Sequence, residues 1–306
     1  MSGETGALAA VFSLALILPA AADPSLADQR CQSLLERFSG PVQAKQTRAI
    51  DADGCEYEDV TISISPRFSY AASKVTIRRL DFADLEKSDI IPHSLRIEVT
   101  HLHMSFSGMG KVQSYIMKLK GQDEAITLDY DYVADKQRLD IRDVSVQGRT
   151  TGKFHLTASV DHVEPELFTK GGPKNPTDMK LESLRLHLEN AGFVETLAIP
   201  LLTGLLQESD DPDGDVEKLK AKVRENVKSF LAVLHVGPDV GATIDAFLGD
   251  FPHPEKTFDL SLNFAPSLGA LEAMAIYTAG GAAPSSASHG TVKASYVAAS
   301  CTPAKP

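Results

Sequence analysis

From about residue 57 to residue 190, apolar and polar side chains alternate with a period of two, and this limits the chain to sheet-forming solutions. Ile126, Leu128, Tyr130 and Tyr132 alternate with Thr127, Asp129 and Asp131, and Phe154, Leu156, Ala158 and Val160 alternate with His155, Thr157, Ser159 and Asp161. Successive side chains on a strand point to opposite faces, so each such segment has one dry and one wet face. Strands of that kind build antiparallel sheets with one solvated side, whereas buried parallel strands read as unbroken apolar runs between helices. The segments 57–64, 67–80, 94–107, 112–120, 125–133, 137–147, 152–162 and 178–189 are predicted strands. Their short connections, such as 134–136 and 148–152, predict a meander of hairpins.

The alternation changes phase inside two of these segments. Leu95, Ile97 and Val99 give way to Leu102, Met104 and Phe106, and Leu139 and Ile141 give way to Val144 and Val146. One extra residue at each point, a β-bulge, restores the inward face and bends the strand. A sheet bent repeatedly in this way is expected to curve around either a helix or a cavity.

The helical signals lie on either side of this block. A short N-terminal helix is predicted over 28–38, where Cys31, Leu34, Leu35 and Phe38 recur at helical spacing before Gly40 and Pro41. Further helices are predicted over 191–206, 215–234 and 239–248, with Val216, Leu219, Val223, Val227, Phe230, Leu231 and Leu234 forming the stripe of the second. A late strand over 256–264 and an edge strand over 291–297 complete the reading. The expected fold is therefore α+β: a long, curved antiparallel meander of about eight to ten strands, with several helices from the second half packed on one face. The expected division is a leader over 1–22, an N-terminal helix and disulfide-tied segment over 23–56, the meander over 57–190, a helical region with a returning strand over 191–278, and a tail rich in Ala, Gly and Ser over 279–306.

Residues 7–22 form an apolar, small-residue run closing in Ala-x-Ala before Asp23. This is the pattern of a cleavable secretory signal, too short for a membrane span, although its leading segment carries Glu4 and no Lys or Arg. The expectation is export to the periplasm or beyond, with no transmembrane span after leader removal. In an oxidising compartment two of the three cysteines, Cys31, Cys55 and Cys301, should pair, and Cys31 with Cys55 is the expected bridge.

The formal net charge of −11 argues against a general nucleic-acid binder, and the absence of Trp argues against an aromatic stacking platform. No nucleophile, cofactor or dinucleotide signature occurs, and no cofactor is expected. His101 and His103, one residue apart, could offer two imidazoles to a metal from one strand face, but no third ligand can be named. An acidic turn over 209–215 imitates a calcium loop until Lys220 falls where a bidentate glutamate is required. The functional expectation is a non-catalytic binding module of the bacterial envelope for an apolar ligand such as a lipid, lined by Leu128, Tyr130, Tyr132, Phe154, Leu156, Leu186 and Leu188. The alternatives are a structural or interaction protein with a fully packed core that docks to an envelope partner, and a hydrolase lacking any linear motif.

Overall fold

The computed structural model describes residues 24–37, 42–65, 68–80, 82, 91–106, 123–169, 176–195, 221, 224, 225, 227, 228, 231, 236–251, 253–269 and 289–298. The expected leader, the predicted strand over 112–120, the acidic turn and Cys301 lie outside these residues.

Among the described residues, eleven strands form one antiparallel sheet that does not close on itself. They are β1 (Val42–Gln43), β2 (Gln46–Asp51), β3 (Gly54–Ser65), β4 (Phe68–Arg78), β5 (Ser94–Phe106), β6 (Glu124–Val133), β7 (Arg138–Gly148), β8 (Gly152–Asp161), β9 (Lys180–Asn190), β10 (Thr257–Gly269) and β11 (His289–Val297). From β3 to β11 each strand pairs with the next in sequence, while β1 and β2 both pair with β3. The late strand β10 pairs with β9 and carries β11 on its other side, so the single sheet runs from Val42 to Val297. Strands β1 and β2 were not predicted, because Gln46–Asp51 mixes polar and apolar residues without a clean alternation.

The two phase changes are bulges. The β5–β6 register shifts between Val99 and Leu102, where His101 takes a positive φ of 53°, and the β7–β8 register shifts between Ile141 and Val144. Each bulge returns the next apolar residue to the inward face.

The register therefore assembles the alternation of nine separate strands into two continuous surfaces. Tyr57, Val75, Val99, Ile126, Val146, Phe154, Leu188, Phe258 and Tyr296 are successive cross-strand partners from β3 to β11. One step along the strands, Cys55, Ile77, Ile97, Leu128, Val144, Leu156, Leu186, Leu260 and Ala294 form a second row. Between these rows, on the opposite face, run Glu56, Thr76, Glu98, Thr127, Ser145, His155, His187, Asp259 and Ser295.

Helices are few among the described residues, not the several expected from the second half. Helix α1 (Pro24–Arg37) lies near the N-terminus and packs Cys31, Leu34 and Leu35 against Cys55, Tyr57, Val60 and Ile77 at the β2–β4 end. Its attachment is covalent: Cys31 and Cys55 form a disulfide with a Cα–Cα distance of 5.6 Å. Helix α2 (Pro238–Asp250) covers the other end, where Ile244 meets Leu188 and Phe258, and Phe247 stacks on Phe258 with ring centroids 4.0 Å apart. Of the helices predicted over 191–206 and 215–234, residues 191–195 and positions 221, 224, 225, 227, 228 and 231 are described; all are helical except Ala191 and Gly192, which form a bend after β9. Val194, Val227 and Leu231 join the same core as α2. The helices stand apart because an eleven-stranded open sheet offers an apolar face too wide for one short helix to cover.

Candidate functional site

Among the described residues, the apolar face divides into two ends packed by helices and a middle that joins no hydrophobic core. At one end α1 seals the core built on β2–β5, and at the other α2 and the residues around Leu231 seal the core built on β8–β11. Between them Ile126, Leu128, Ile141, Val144, Val146 and Leu156, carried by β6, β7 and β8, remain half-buried and belong to none of the hydrophobic cores among the described residues.

The seven residues expected to line a ligand site divide among three environments. Leu128 and Leu156 lie in the half-buried middle, in one row with Val144 between them. Phe154, Leu186 and Leu188 belong to the α2 core, with Leu188 almost fully buried and Phe154 stacked on Phe193 at 4.6 Å. Tyr130 and Tyr132 reach a third cluster around Val163 and Phe168, where the 3-10 turn Pro165–Phe168 folds under the strand end. Their hydroxyls donate to the carbonyl oxygens of Pro92 (2.8 Å) and Val163 (2.9 Å), which satisfies the polar tip each would otherwise bury alone. Burial pushes the Tyr130 phenol up to about 12. The alternation placed all seven on one face, but it could not show which of them the helices would cover.

The predicted metal pair lies at the β5 bulge. His101 Nδ1 is 2.6 Å from Asp123 Oδ1, and His103 Nδ1 is 3.1 Å from the carbonyl oxygen of His101. Among the described residues no group of three or more His, Cys, Asp and Glu side chains is placed to share a metal ion.

The polar face is a lattice of ion pairs. Asp129 sits between Arg79 and Arg96, Arg138 reaches Asp140 and Glu182, Arg142 reaches Asp131, and Glu56 accepts from Arg48 with Lys74 3.5 Å away. At the β9–β10 pair, His187 Nδ1 is 2.7 Å from Asp259 Oδ1 and its Nε2 is 3.3 Å from Glu189 Oε1. Ser295 Oγ donates to Asp259 Oδ2 over 3.1 Å, and Lys153 Nζ is 3.1 Å from Glu189 Oε2. The hydrogen bond to Asp259, helped by Glu189, raises the His187 imidazole above its ordinary range.

A Ser–Asp–His chain invites comparison with a hydrolytic triad, but its order is wrong for that chemistry. Activation of a serine requires an imidazole nitrogen aimed at its oxygen. Here both nitrogens of His187 face carboxylates, and the serine hydroxyl bonds to the aspartate. The arrangement stores charge and ties β9, β10 and β11 together.

Beside this ladder an open groove of about 450 Å³ crosses β8 to β11. Arg185 and Lys293 line it together with Thr157, Ser261, His155 and His187. The alternation marks His155 and Thr157 as wet-side residues and singles out none of the others, because nothing linear links Arg185 to a lysine more than a hundred residues later. No described helix is long and apolar enough to cross a membrane. No protein-family model matches the chain, and no curated protein matches it either, so the reading of its function rests on this geometry.

Proposed function

We propose that the protein is an exported, non-catalytic binding module of the bacterial envelope whose ligand is the apolar part of a lipid, held against the middle of the apolar face. The observation that carries this reading is the half-buried strip of Ile126, Leu128, Ile141, Val144, Val146 and Leu156 between two sealed cores. Three rows of side chains along these strands, advancing about 6.6 Å per two residues, make a strip about 13 Å long, and the strands stand about 4.8 Å apart. Those dimensions suit an extended acyl chain. Such a strip is energetically open to an apolar ligand, because each square ångström it removes from water contributes about 25 cal/mol.

Export is supported by the apolar run over 7–22 and by the Cys31–Cys55 disulfide, a bond that persists in oxidising compartments. Holding an apolar ligand against this face of the sheet needs no catalytic group.

The test is mass spectrometry of organic extracts from the mature protein purified from a bacterial periplasm, beside a control protein handled identically. A stoichiometric lipid that is lost from the Leu128→Gln and Val144→Gln variants is the expected result. A clean extract would overturn the reading in favour of a packed interaction module that docks to an envelope partner.

A further inference from the structure

On the face of the sheet turned away from the proposed lipid site, most basic residues are paired with a carboxylate; among those carried by strands, Arg185 and Lys293 are not, nor is Lys180 at the very start of β9. Arg96, Arg138, Arg142 and Lys153 each have a carboxylate within ion-pair distance. Arg185 and Lys293 make no ion pair and no side-chain hydrogen bond among the described residues, although the chain carries 41 Asp and Glu against 30 Lys and Arg. Both stand in strand interiors, and the register brings them together: Arg185 on β9 is opposite Ser261 on β10, which is opposite Lys293 on β11. Neighbouring strands lie about 4.8 Å apart, so the two Cα atoms are about 10 Å from each other on one face, within reach of two long side chains that converge on a common group.

We propose that this groove binds a phosphate group, taken between the Arg185 guanidinium and the Lys293 ammonium above the Ser261 hydroxyl. The donor set is complementary to a tetrahedral oxyanion. The arginine fork engages two oxygens, the lysine supplies a point charge to a third, and a hydroxyl donates from below. A carboxylate would occupy the fork alone and leave the ammonium unmatched. Two cations held side by side repel each other in the empty groove, and a dianion between them removes that repulsion.

The nearest negative charge on the lining is Asp259, one side-chain row away along the strands. It is engaged by His187 at 2.7 Å and by the Ser295 hydroxyl at 3.1 Å, which directs its oxygens away from the Arg185 row. The phosphate could belong to a soluble ester or to a phospholipid headgroup, and the chemistry of recognition is the same. The site is separated from the apolar strip by the thickness of the sheet, so it stands or falls independently of that reading.

The experiment uses the full mature chain and two probes at low ionic strength: inorganic phosphate followed by titration calorimetry, and co-sedimentation with vesicles of phosphatidylglycerol and phosphatidylcholine, compared with vesicles of phosphatidylcholine alone. The variants are Arg185→Gln and Lys293→Gln, with Arg149→Gln in the exposed β7–β8 turn as the charge-matched control. Arg185 and Lys293 are exposed, so circular dichroism should be unchanged. Binding of inorganic phosphate that falls at least about tenfold in both groove variants and not in the control supports the proposal with a soluble ligand. Binding only to the phosphatidylglycerol vesicles, with the same dependence on the variants, supports it with a lipid headgroup. Binding of neither probe, or binding equal in the wild type and both groove variants, overturns it.

Discussion

The Tyr57 hydroxyl, on the first long strand of the sheet, donates a 2.9 Å hydrogen bond to the carbonyl oxygen of Cys31 in helix α1, beside the disulfide that joins the same helix to Cys55. Tyr57 and both cysteines are almost wholly excluded from water, and burial pushes the Tyr57 phenol far above its ordinary range. Helix and sheet are thus joined at one point by a covalent bond, a buried hydrogen bond and a hydrophobic core.

The hydrogen bond and the disulfide should contribute differently. Tyr57→Phe keeps the ring packing and removes one net hydrogen bond, an expected loss of about 1 kcal/mol. Replacing both cysteines by alanine frees a loop of 24-residue separation, an expected loss of about 3 kcal/mol in the chain-entropy picture. Urea unfolding of both variants measures the ratio, and equal losses would show that the phenol carries more than an ordinary hydrogen bond.

Asp129 is the most buried carboxylate of the central polar face and accepts from both Arg79 and Arg96. Asp129→Ala leaves two guanidiniums facing each other, with Arg79 only partly able to reach water. The expected destabilisation is about 2 kcal/mol, below the value for a fully buried pair because both arginines retain some solvent contact. Thermal unfolding of D129A beside the double variant with Arg96→Ala would show the second substitution costing less in the absence of Asp129 than in its presence.

His187 provides a pH dependence whose sign follows from its partners. Its imidazole is raised in the folded protein from an ordinary value of 6.5 by the hydrogen bond to Asp259. The stabilisation is therefore fully present below about pH 6.5 and disappears as pH rises through the folded value. Relative to wild type, His187→Gln should be less stable at about pH 6 and nearly equal at about pH 9. A stability difference independent of pH across that window would refute the assignment.

Gly152 opens β8 with φ +88°, and a Cβ placed there would stand 1.9 Å from the carbonyl oxygen of Glu189 on β9. Gly152→Ala must move the backbone of the neighbouring strand as well as adopt a conformation unfavourable to L-residues. A loss of about 3 kcal/mol or more is expected, read as a fall in the denaturant midpoint. A neutral substitution would mean that the β7–β8 hairpin tolerates an altered turn.

Within the apolar face, truncations should separate core from strip. Leu188→Ala in the α2 core is expected to cost about 3 kcal/mol, whereas Leu128→Ala in the half-buried middle should cost about 1 kcal/mol in the ligand-free protein. If added lipid raises the melting temperature of wild type but not of L128A, the strip is where it binds.

Local chemistry was enough to define most strands. A residue such as Thr127 between Ile126 and Leu128 declares its face without reference to any other part of the chain, and the bulges at His101 and at Arg142–Asp143 are visible as phase slips for the same reason. The pairing of Cys31 with Cys55 was also legible, since one cysteine lies in the predicted N-terminal helix and the other just before the first predicted strand. The short strands β1 and β2 were not, because their pairing to β3 supplies hydrogen bonds that an irregular polar sequence does not announce.

That this chain builds a sheet with one dry and one wet face follows from local residue order, because side-chain direction on a strand depends only on residue parity. Which dry residues join a helix-packed core depends on long-range packing, since Leu156 and Leu188 have the same local pattern and only Leu188 belongs to such a core among the described residues. Tertiary structure likewise decided that Arg185 and Lys293 share a groove and that His187 meets Asp259, 72 residues away. Those neighbours come from cross-strand register, which is set by the cooperative fit of the whole sheet and is not written in any one segment.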